Sequence, residues 1–481
     1  MSITILGLIV FPLGLYLFSR GHRSLFWATI WSIPFFDTIV LRLPFAPIRP
    51  FQYLGGLLIL RYVVNVLVRG DTPSIRRSPS VATAGAFLLS LVFSFFAPGF
   101  ISTPVYVVPE GISSVAVAYQ YPKPLQFSVK NITQILYPVF GILLFLTVEW
   151  SINSVRDLRR IFKILIKVFI GLAGFMVLYQ VAYVIDLQRP VDLLFFLLQG
   201  EANANFDDYN ALGALVRAFT PAGEPGYTGL YYALVLGLVG GVAFGGYRRA
   251  WKPARIRQLA GLILIALVLN ASTTGFFALA MLVVGFVLVS FLRRRSRVSA
   301  VSNIRTVLQL TLAFAVIVGV VLVVAQVVFG LSLVRILITQ HLAKLTQGAG
   351  SGAFRIQTVT YSLREVFAAS PLLGVGYGSH RALSLLIFLL SNVGVVGTFF
   401  FLLLNAVVFR HAIIAMNNTT NPNLAVLCFA TAVTHAGILP TLLVAKSETG
   451  FSFGWLWLLL GMMEAEYRIY RREKREPVAA G

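Results

Sequence analysis

The side chains in this sequence that could bind or transform a charged substrate lie in two polar segments between long apolar runs. The first reads Arg217-Ala-Phe-Thr-Pro-Ala-Gly-Glu-Pro-Gly-Tyr-Thr-Gly229. Its prolines and glycines predict a stiff, tightly turned segment that holds Arg217 and Glu224 at the edge of the next apolar run. The pair could act on an anionic substrate. An Arg–Glu ion pair in a turn that starts a helix would explain the same residues, and both interpretations stay open.

The second segment begins with Gly350-Ser-Gly-Ala-Phe-Arg355 and predicts a helix that ends at about Ala369, because Pro371 disfavours helix in the residue before it. Arg355 and Arg364 are nine residues apart, so we expect them on opposite faces of this helix, and only one can serve a given pocket. Arg355 is the better phosphate ligand, since a helix N-terminus also favours anions. Arg364 is expected at the solvated surface.

The elements that must position these residues are membrane-spanning helices. Of 481 residues, 58% are hydrophobic and only 12% are charged, which is more apolar side chain than a soluble core of this length could bury. The sequence therefore predicts an all-α fold, a polytopic transmembrane helix bundle of about 12–14 spans. The predicted spans are 3–18, 24–40, 51–68, 81–97, 132–149, 160–185, 227–246, 257–272, 274–292, 307–331, 384–408, 422–444 and 450–466.

Basic residues predict the orientation of these spans. Clusters of arginine and lysine recur between alternate spans and in the tail 467–481, and such clusters stay in the cytoplasm. We therefore expect a cytoplasmic C-terminus and a single integral membrane domain over 1–481. The large loops 98–131, 186–226 and 332–383 then lie outside, and the last two carry the candidate site. Residues 191–198 and 333–345 predict interfacial helices within them.

Composition argues against several other classes. The net charge of +22 is held in short clusters between spans, which indicates a membrane protein and no nucleic-acid partner. The lone Cys428 lies in an apolar run, so we expect no disulfide framework and no thiolate metal site. Asp207 and Asp208 resemble a paired-carboxylate metal site but lack further ligands nearby, and we predict no metal and no cofactor. The first apolar run predicts a span and not a cleaved signal peptide.

Four short segments together resemble the O-antigen ligase and polymerase family of bacterial membrane glycosyltransferases. They lie within about residues 217–400 and are Arg217 with Glu224-Pro225-Gly226, Ala271-Ser-Thr-Thr-Gly275, Arg355 followed by Ser370-Pro-Leu-Leu-Gly-Val-Gly-Tyr-Gly378, and Asn392-Val-Gly-Val-Val-Gly397. The resemblance implies a GT-C-like enzyme of the bacterial plasma membrane. It would transfer a glycan from an undecaprenyl-pyrophosphate carrier to an acceptor sugar at the outer face, with that lipid-linked oligosaccharide and membrane lipids as partners.

The resemblance also implies roles for individual residues. By position, Arg217 and Arg355 match the arginines that the family uses on the pyrophosphate, and planar guanidinium groups suit phosphate oxygens without a metal. Arg381, Arg364 and Tyr377 are further candidates for substrate binding. Glu224 is a candidate to accept the proton of the acceptor hydroxyl or to orient Arg217.

The sequence departs from the ligase pattern at its histidine. Ligases place a histidine about a dozen residues before Gly-x-x-Gly, where this chain has Leu383 and Ser384. His380 lies slightly earlier, so it is either a displaced general base or a solvent-facing loop histidine. The missing histidine favours chain polymerisation over ligation to a lipid acceptor.

Two other kinds of function stay open. One is a transporter or flippase for lipid-linked glycan, for which two related halves and charges along a central path would be expected. The other is a structural subunit that binds envelope-assembly proteins. His435, in the middle of a predicted span, is either a functional group or a helix–helix hydrogen-bonding residue.

Overall fold

The fold is a bundle of long helices, as the apolar runs predict. In the computed structural model the described residues are 2–43, 47–69, 78–101, 104–108, 122–185, 187, 189–199, 220–245, 253–270, 272–293, 351–445, 451 and 453–475. Fourteen α-helices lie in these ranges. They are α1 (Ile5–Arg20), α2 (His22–Ser32), α3 (Pro50–Arg69), α4 (Pro79–Phe96), α5 (Val129–Ser151), α6 (Val155–Val184), α7 (Arg189–Gln199), α8 (Pro225–Phe244), α9 (Pro253–Leu269), α10 (Thr273–Leu292), α11 (Ser351–Tyr361), α12 (Leu385–Asn418), α13 (Pro422–Ala445) and α14 (Gly454–Arg475).

Two small antiparallel sheets accompany the helices. The first has the order β1 (Ser2–Ile3), β2 (Leu41–Arg42) and β3 (Pro47–Ile48), with Ser2 opposite Arg42 and Leu41 opposite Ile48. The second pairs β4 (Tyr106–Val107) with β5 (Lys123–Pro124). All five strands are two residues long, so the protein belongs to the all-α class.

Eight of the described helices are long and apolar enough to span a membrane, namely α3, α4, α5, α6, α8, α10, α12 and α13. The protein is therefore a multi-pass membrane protein. Helices α1 and α9 are apolar but shorter, and α14 starts at Gly454 and continues beyond the predicted span to Arg475. The predicted span 307–331 and the interfacial helix 333–345 lie outside the described residues.

The predicted span 24–40 is wrong as a continuous helix. Helix α2 ends at Ser32 and has 11 residues, about 16 Å, against roughly 30 Å of hydrocarbon. Pro34 explains this end, because a proline lacks the N–H that would continue the helix. The chain beyond it makes backbone hydrogen bonds to other segments: Asp37 N donates to the Pro221 carbonyl and Ile39 N to the Leu198 carbonyl, both at 3.1 Å.

The second of these contacts fixes α7 beside β2. Helix α7 covers residues 191–198, so the helix predicted there is confirmed. Its Leu193 and Phe196 are exposed, as expected of side chains that face lipid or its headgroups.

Arginine-rich helix ends meet at one end of the bundle, which we call the basic end. Arg23 pairs there with Asp157, and Arg468 Nε lies 2.6 Å from Glu149 Oε1. Nearby, Thr419 Oγ1 donates to Glu473 at 2.6 Å. The opposite end, which we call the loop end, contains β1–β3, the first turn of α8, and residues 351–384.

Helices α8 and α13 lie antiparallel and in close contact through small residues. A Cβ added to Gly241 would lie 2.3 Å from Ala430 Cα, and one added to Gly237 would lie 2.7 Å from Thr434 Oγ1. Small residues spaced by four let helix backbones approach in a membrane.

We predict that Gly241→Ala destabilises the protein by about 1–3 kcal/mol, because the added methyl group has no room against Ala430. Thermal unfolding in detergent measures the effect. Gly240→Ala is the matched control, since a Cβ at Gly240 meets no atom within 4 Å and alanine favours helix. Equal loss of stability in the two variants would contradict the close approach of α8 and α13.

Candidate functional site

The helix that carries Arg355 ends where the sequence predicts, but its second half is wider than an α-helix. Helix α11 continues as a π-helical segment, Ser362–Phe367, and helix persists to Ala369. Single turns of π-helix occur frequently at functional sites. The segment buries Ser362 and Val366 and leaves Arg364 exposed, so the surface position predicted for Arg364 is confirmed.

The glycine-rich turn that follows packs onto a break in α12. Gly394 has φ 65° and ψ −171°, which interrupts the helix, and Gly374 has φ 71°. Both conformations favour glycine, and both positions are crowded. A Cβ at Gly394 would lie 2.2 Å from the Leu372 carbonyl oxygen, and one at Gly374 would lie 2.3 Å from the Asn392 carbonyl carbon. The two segments can approach this closely only because residues 374 and 394 are both glycine.

Backbone hydrogen bonds join the turn to this break in both directions. Val395 N donates to the Pro371 carbonyl at 2.8 Å, and Val396 N donates to the Leu372 carbonyl at 3.2 Å. In return, the amides of residues 375 and 376 donate to the carbonyls of residues 391 and 392, at 2.9 and 3.2 Å. The structure thus brings together two of the four segments that carry the family resemblance.

Asn392 fixes the end of the turn through its side-chain amide. Its Oδ1 accepts a hydrogen bond from His380 N at 2.9 Å, and its Nδ2 donates to the His380 carbonyl at 2.8 Å. Asn392 is completely buried. Asn131 of α5 holds the same turn from another side, donating through Nδ2 to the Tyr377 carbonyl and to Ser379 Oγ, both at 2.8 Å.

The side chain of His380 is completely buried, so the prediction of a solvent-facing histidine is wrong. Nδ1 accepts from Val108 N at 3.2 Å, and Nε2 lies 2.8 Å from Ser362 Oγ. Ser362 Oγ already donates to the Thr358 carbonyl, so Nε2 carries the hydrogen that Ser362 accepts. Burial lowers the pKa of His380 to about 3, and the ring is neutral at pH 7. This arrangement indicates a structural role and gives no support to a general base.

Tyr377 also belongs to the core. It is 1% exposed and packs edge-on against Phe388 and Phe451 at centroid distances of 5.3 and 6.3 Å. No substrate could reach its ring without opening the turn. The substrate-binding prediction for Tyr377 therefore has no support in this conformation.

Two arginines, Arg355 and Arg381, lie near the glycine-rich turn. Arg355 is exposed, and its Nη1 lies 3.4 Å from the carbonyl oxygens of both Leu383 and Ala445. Arg381, two residues before Leu383, is half-buried, and its backbone N donates to the Val108 carbonyl at 2.8 Å. The turn and the start of α12 thus place Arg355 and Arg381 in one region of the loop end.

Glu224 lies at the first turn of α8, also at the loop end. It is half-buried, and its carbonyl accepts from Thr228 N at 3.1 Å. Helix α8 packs against α13, whose last residue, Ala445, accepts a hydrogen bond from Arg355 Nη1 at 3.4 Å. Arg217 and Ala271 lie outside the described residues, so the predicted pairing of Arg217 with Glu224 stays a prediction.

The other two segments of the resemblance also meet one another. Asn270 Nδ2 donates to the Pro225 carbonyl at 2.7 Å, and a Cβ at Gly275 would lie 3.2 Å from Gly229 Cα. Ser272 caps α10 by accepting from Gly275 N at 3.3 Å. The small residues Gly229 and Gly275 serve helix packing here.

Other candidate groups do not join this site. His435 is buried in α13 and lies beside Phe409 at a centroid distance of 6.0 Å. Among the residues that the structure describes, no three His, Cys, Asp or Glu side chains group as a metal site would require. Asp207 and Asp208 lie outside those residues.

No protein-family model matches the chain, and a search of curated proteins finds no similar sequence.

We predict that Asn392→Ala frees the glycine-rich turn, because it removes both side-chain hydrogen bonds to the His380 backbone. The loss is about 1–3 kcal/mol of local stability. Hydrogen–deuterium exchange of residues 374–381 measures it as faster exchange. Asn405→Ala is the control, since among the described residues buried Asn405 donates only to the Phe401 carbonyl of its own helix and its Oδ1 has no partner there. Unchanged exchange in Asn392→Ala would contradict the role of this amide.

We also predict that His380 makes the protein less stable in acid. Its pKa of about 3 in the folded protein is below the ordinary value of 6.5, so the unfolded chain takes up a proton that the folded protein does not. This contribution is complete above pH 6.5 and falls by up to about 1.4 kcal/mol per pH unit toward pH 3. Thermal unfolding of wild type and His380→Gln from pH 7 to 4 should show the stability gap between them narrowing. A constant gap would mean that the folded protein protonates His380 normally.

Proposed function

We propose that this multi-pass membrane protein is a glycosyltransferase that moves a glycan from an undecaprenyl-pyrophosphate carrier to an acceptor sugar. The support is the exposed Arg355, whose Nη1 lies 3.4 Å from the carbonyl oxygen of Leu383, two residues after Arg381. Their guanidinium groups suit the two phosphates of the donor. The absence of the ligase histidine favours growth of a polysaccharide chain over transfer to a lipid acceptor.

Arg355 is well placed to exchange its present contacts for phosphate. Two carbonyl oxygens at 3.4 Å are at the long end of hydrogen-bond distances, so they hold the side chain weakly. A phosphate oxygen would form shorter, charge-assisted hydrogen bonds. As the bond from the anomeric carbon to the pyrophosphate breaks, its electron pair stays on the phosphate oxygen, and a cation aimed at that oxygen lowers the barrier.

Glu224 is the candidate proton acceptor. The acceptor hydroxyl oxygen forms the new bond to the anomeric carbon, and its proton passes to the Glu224 carboxylate. Since His380 is buried with both ring nitrogens engaged, Glu224 is the stronger candidate of the two. His380 instead holds the turn that carries Arg381.

The proposed location is the bacterial plasma membrane, with the loop end outside and the C-terminus in the cytoplasm. The arginine-rich helix ends at the basic end support this orientation, because basic loops stay in the cytoplasm. A carrier displayed at the outer face would then meet Arg355 directly.

The test is transfer by the purified protein reconstituted in liposomes with an undecaprenyl-pyrophosphate oligosaccharide. We predict that wild type lengthens the glycan and that Arg355→Gln loses roughly 10²–10³ of the turnover, as expected for loss of one donor to a developing anion. Arg217→Ala should show a comparable loss. Lys123→Gln, which removes an exposed charge from β5, should keep wild-type turnover.

The outcomes separate the alternatives. If wild type and Arg355→Gln form product at the same rate, Arg355 has no role in the reaction. Movement of the lipid-linked glycan across the bilayer without a new glycosidic bond would show that the protein is a flippase and not a glycosyltransferase. Transfer only to a lipid acceptor would identify a ligase.

A further inference from the structure

A cavity at the basic end, far from the candidate catalytic site, is lined by arginines. It has a volume of about 150 Å³ and lies between the start of α4, the end of α5 and the last turns of α14. Arg468, Arg471, Arg472 and Arg475 line it, and their spacing places them on one face of α14. Val81, Phe145 and Leu146 line its apolar part.

The carboxylates in this cavity are already engaged. Glu149 pairs with Arg468, with Oε1 2.6 Å from Nε. Glu464 accepts from Ser78 Oγ at 2.7 Å and lies 2.8 Å from His411 Nδ1. The acidic groups that line the cavity therefore have partners other than the last arginines.

The last arginines keep an unbalanced positive charge. In the part of the chain that the structure describes, Arg472 and Arg475 are exposed and form no ion pair, and Arg471 lies 5.9 Å from the centre of the Tyr467 ring. Like charges three and four residues apart on a helix repel one another. An anion bound among them would relieve this repulsion.

We infer that this cavity binds a phosphate group, presented by the headgroup of an anionic phospholipid. Guanidinium groups are suited to phosphate oxygens, and the apolar part of the cavity suits the glycerol and first acyl carbons of a lipid. Basic pockets between helices at a cytoplasmic surface bind anionic headgroups in this way. The inference does not depend on the proposed glycosyltransferase activity.

The test uses the full-length protein in neutral detergent, titrated with phosphatidylglycerol and followed by native mass spectrometry. Wild type should retain the lipid saturably and should not retain phosphatidylcholine. The double variant Arg472→Gln/Arg475→Gln should bind phosphatidylglycerol about tenfold or more weakly. Lys474→Gln, which removes an exposed charge from the same helical turn but does not line the cavity, should bind within about twofold of wild type.

A second titration distinguishes the source of the phosphate. Inorganic phosphate should displace phosphatidylglycerol only at much higher concentration if the apolar wall contributes. If inorganic phosphate displaces phosphatidylglycerol at a concentration equal to that of the lipid, the cavity binds phosphate, but a phospholipid is not its source. If Lys474→Gln weakens phosphatidylglycerol binding as much as the double variant does, diffuse surface charge explains the effect and the site is overturned. Absence of saturable binding to wild type would also overturn the site.

Discussion

The break at Gly394 interrupts an apolar helix, so the backbone groups freed there must find partners within the protein. In lipid, each unsatisfied N–H or C=O costs several kcal/mol, and a spanning helix tolerates a break only where protein covers it. The glycine-rich turn supplies that cover through four backbone hydrogen bonds to residues 391–396. Asn392, His380, Ser362 and Val108 then connect the break to the π-helical segment and to the end of β4. The positions of Arg355 and Arg381 follow from this one requirement.

The buried polar groups around the break differ in kind from the exposed charges beside it. The side chains of Asn392, Asn131 and His380 are buried and hydrogen-bonded, and networks of this type stabilise a unique arrangement when every member has a partner. Within the described ranges, the hydrogen bonds of the Arg355 side chain are two long ones, of 3.4 Å, to carbonyl oxygens. The loop end thus combines a rigid polar support with a weakly held cation at its surface, which is the division of roles expected of a binding site on a rigid scaffold.

Hydropathy predicts most of the helices but little of the site. The apolar runs identify α3 to α6, α8 to α10, α12 and α13 in the described ranges, because the membrane requires length and apolar composition of each helix separately. Pro34 marks the end of α2 in the sequence, but the apolar residues on both sides of it predict a longer span. The burial of His380 could not be predicted, because its partners Val108 and Asn392 are fixed by long-range packing. The exposure of Arg364 agrees with the sequence prediction, but the π-helical turn at Ser362–Phe367 was not predicted, because the sequence pattern there fits an α-helix equally well.

The ion pair between Arg468 and Glu149 joins residues 319 positions apart in the chain. At about 5–20 residues per second, ribosomes need roughly 15–60 s to make the intervening segment. During that interval α5 is already in the membrane, and its Glu149 carboxylate and Ile152 carbonyl have no Arg468 to bind. The last helix, α14, therefore supplies the hydrogen-bond and ion-pair partners of α5, a helix that is made much earlier. A chain that stops before α14 leaves the Glu149 carboxylate and the Ile152 carbonyl without these partners.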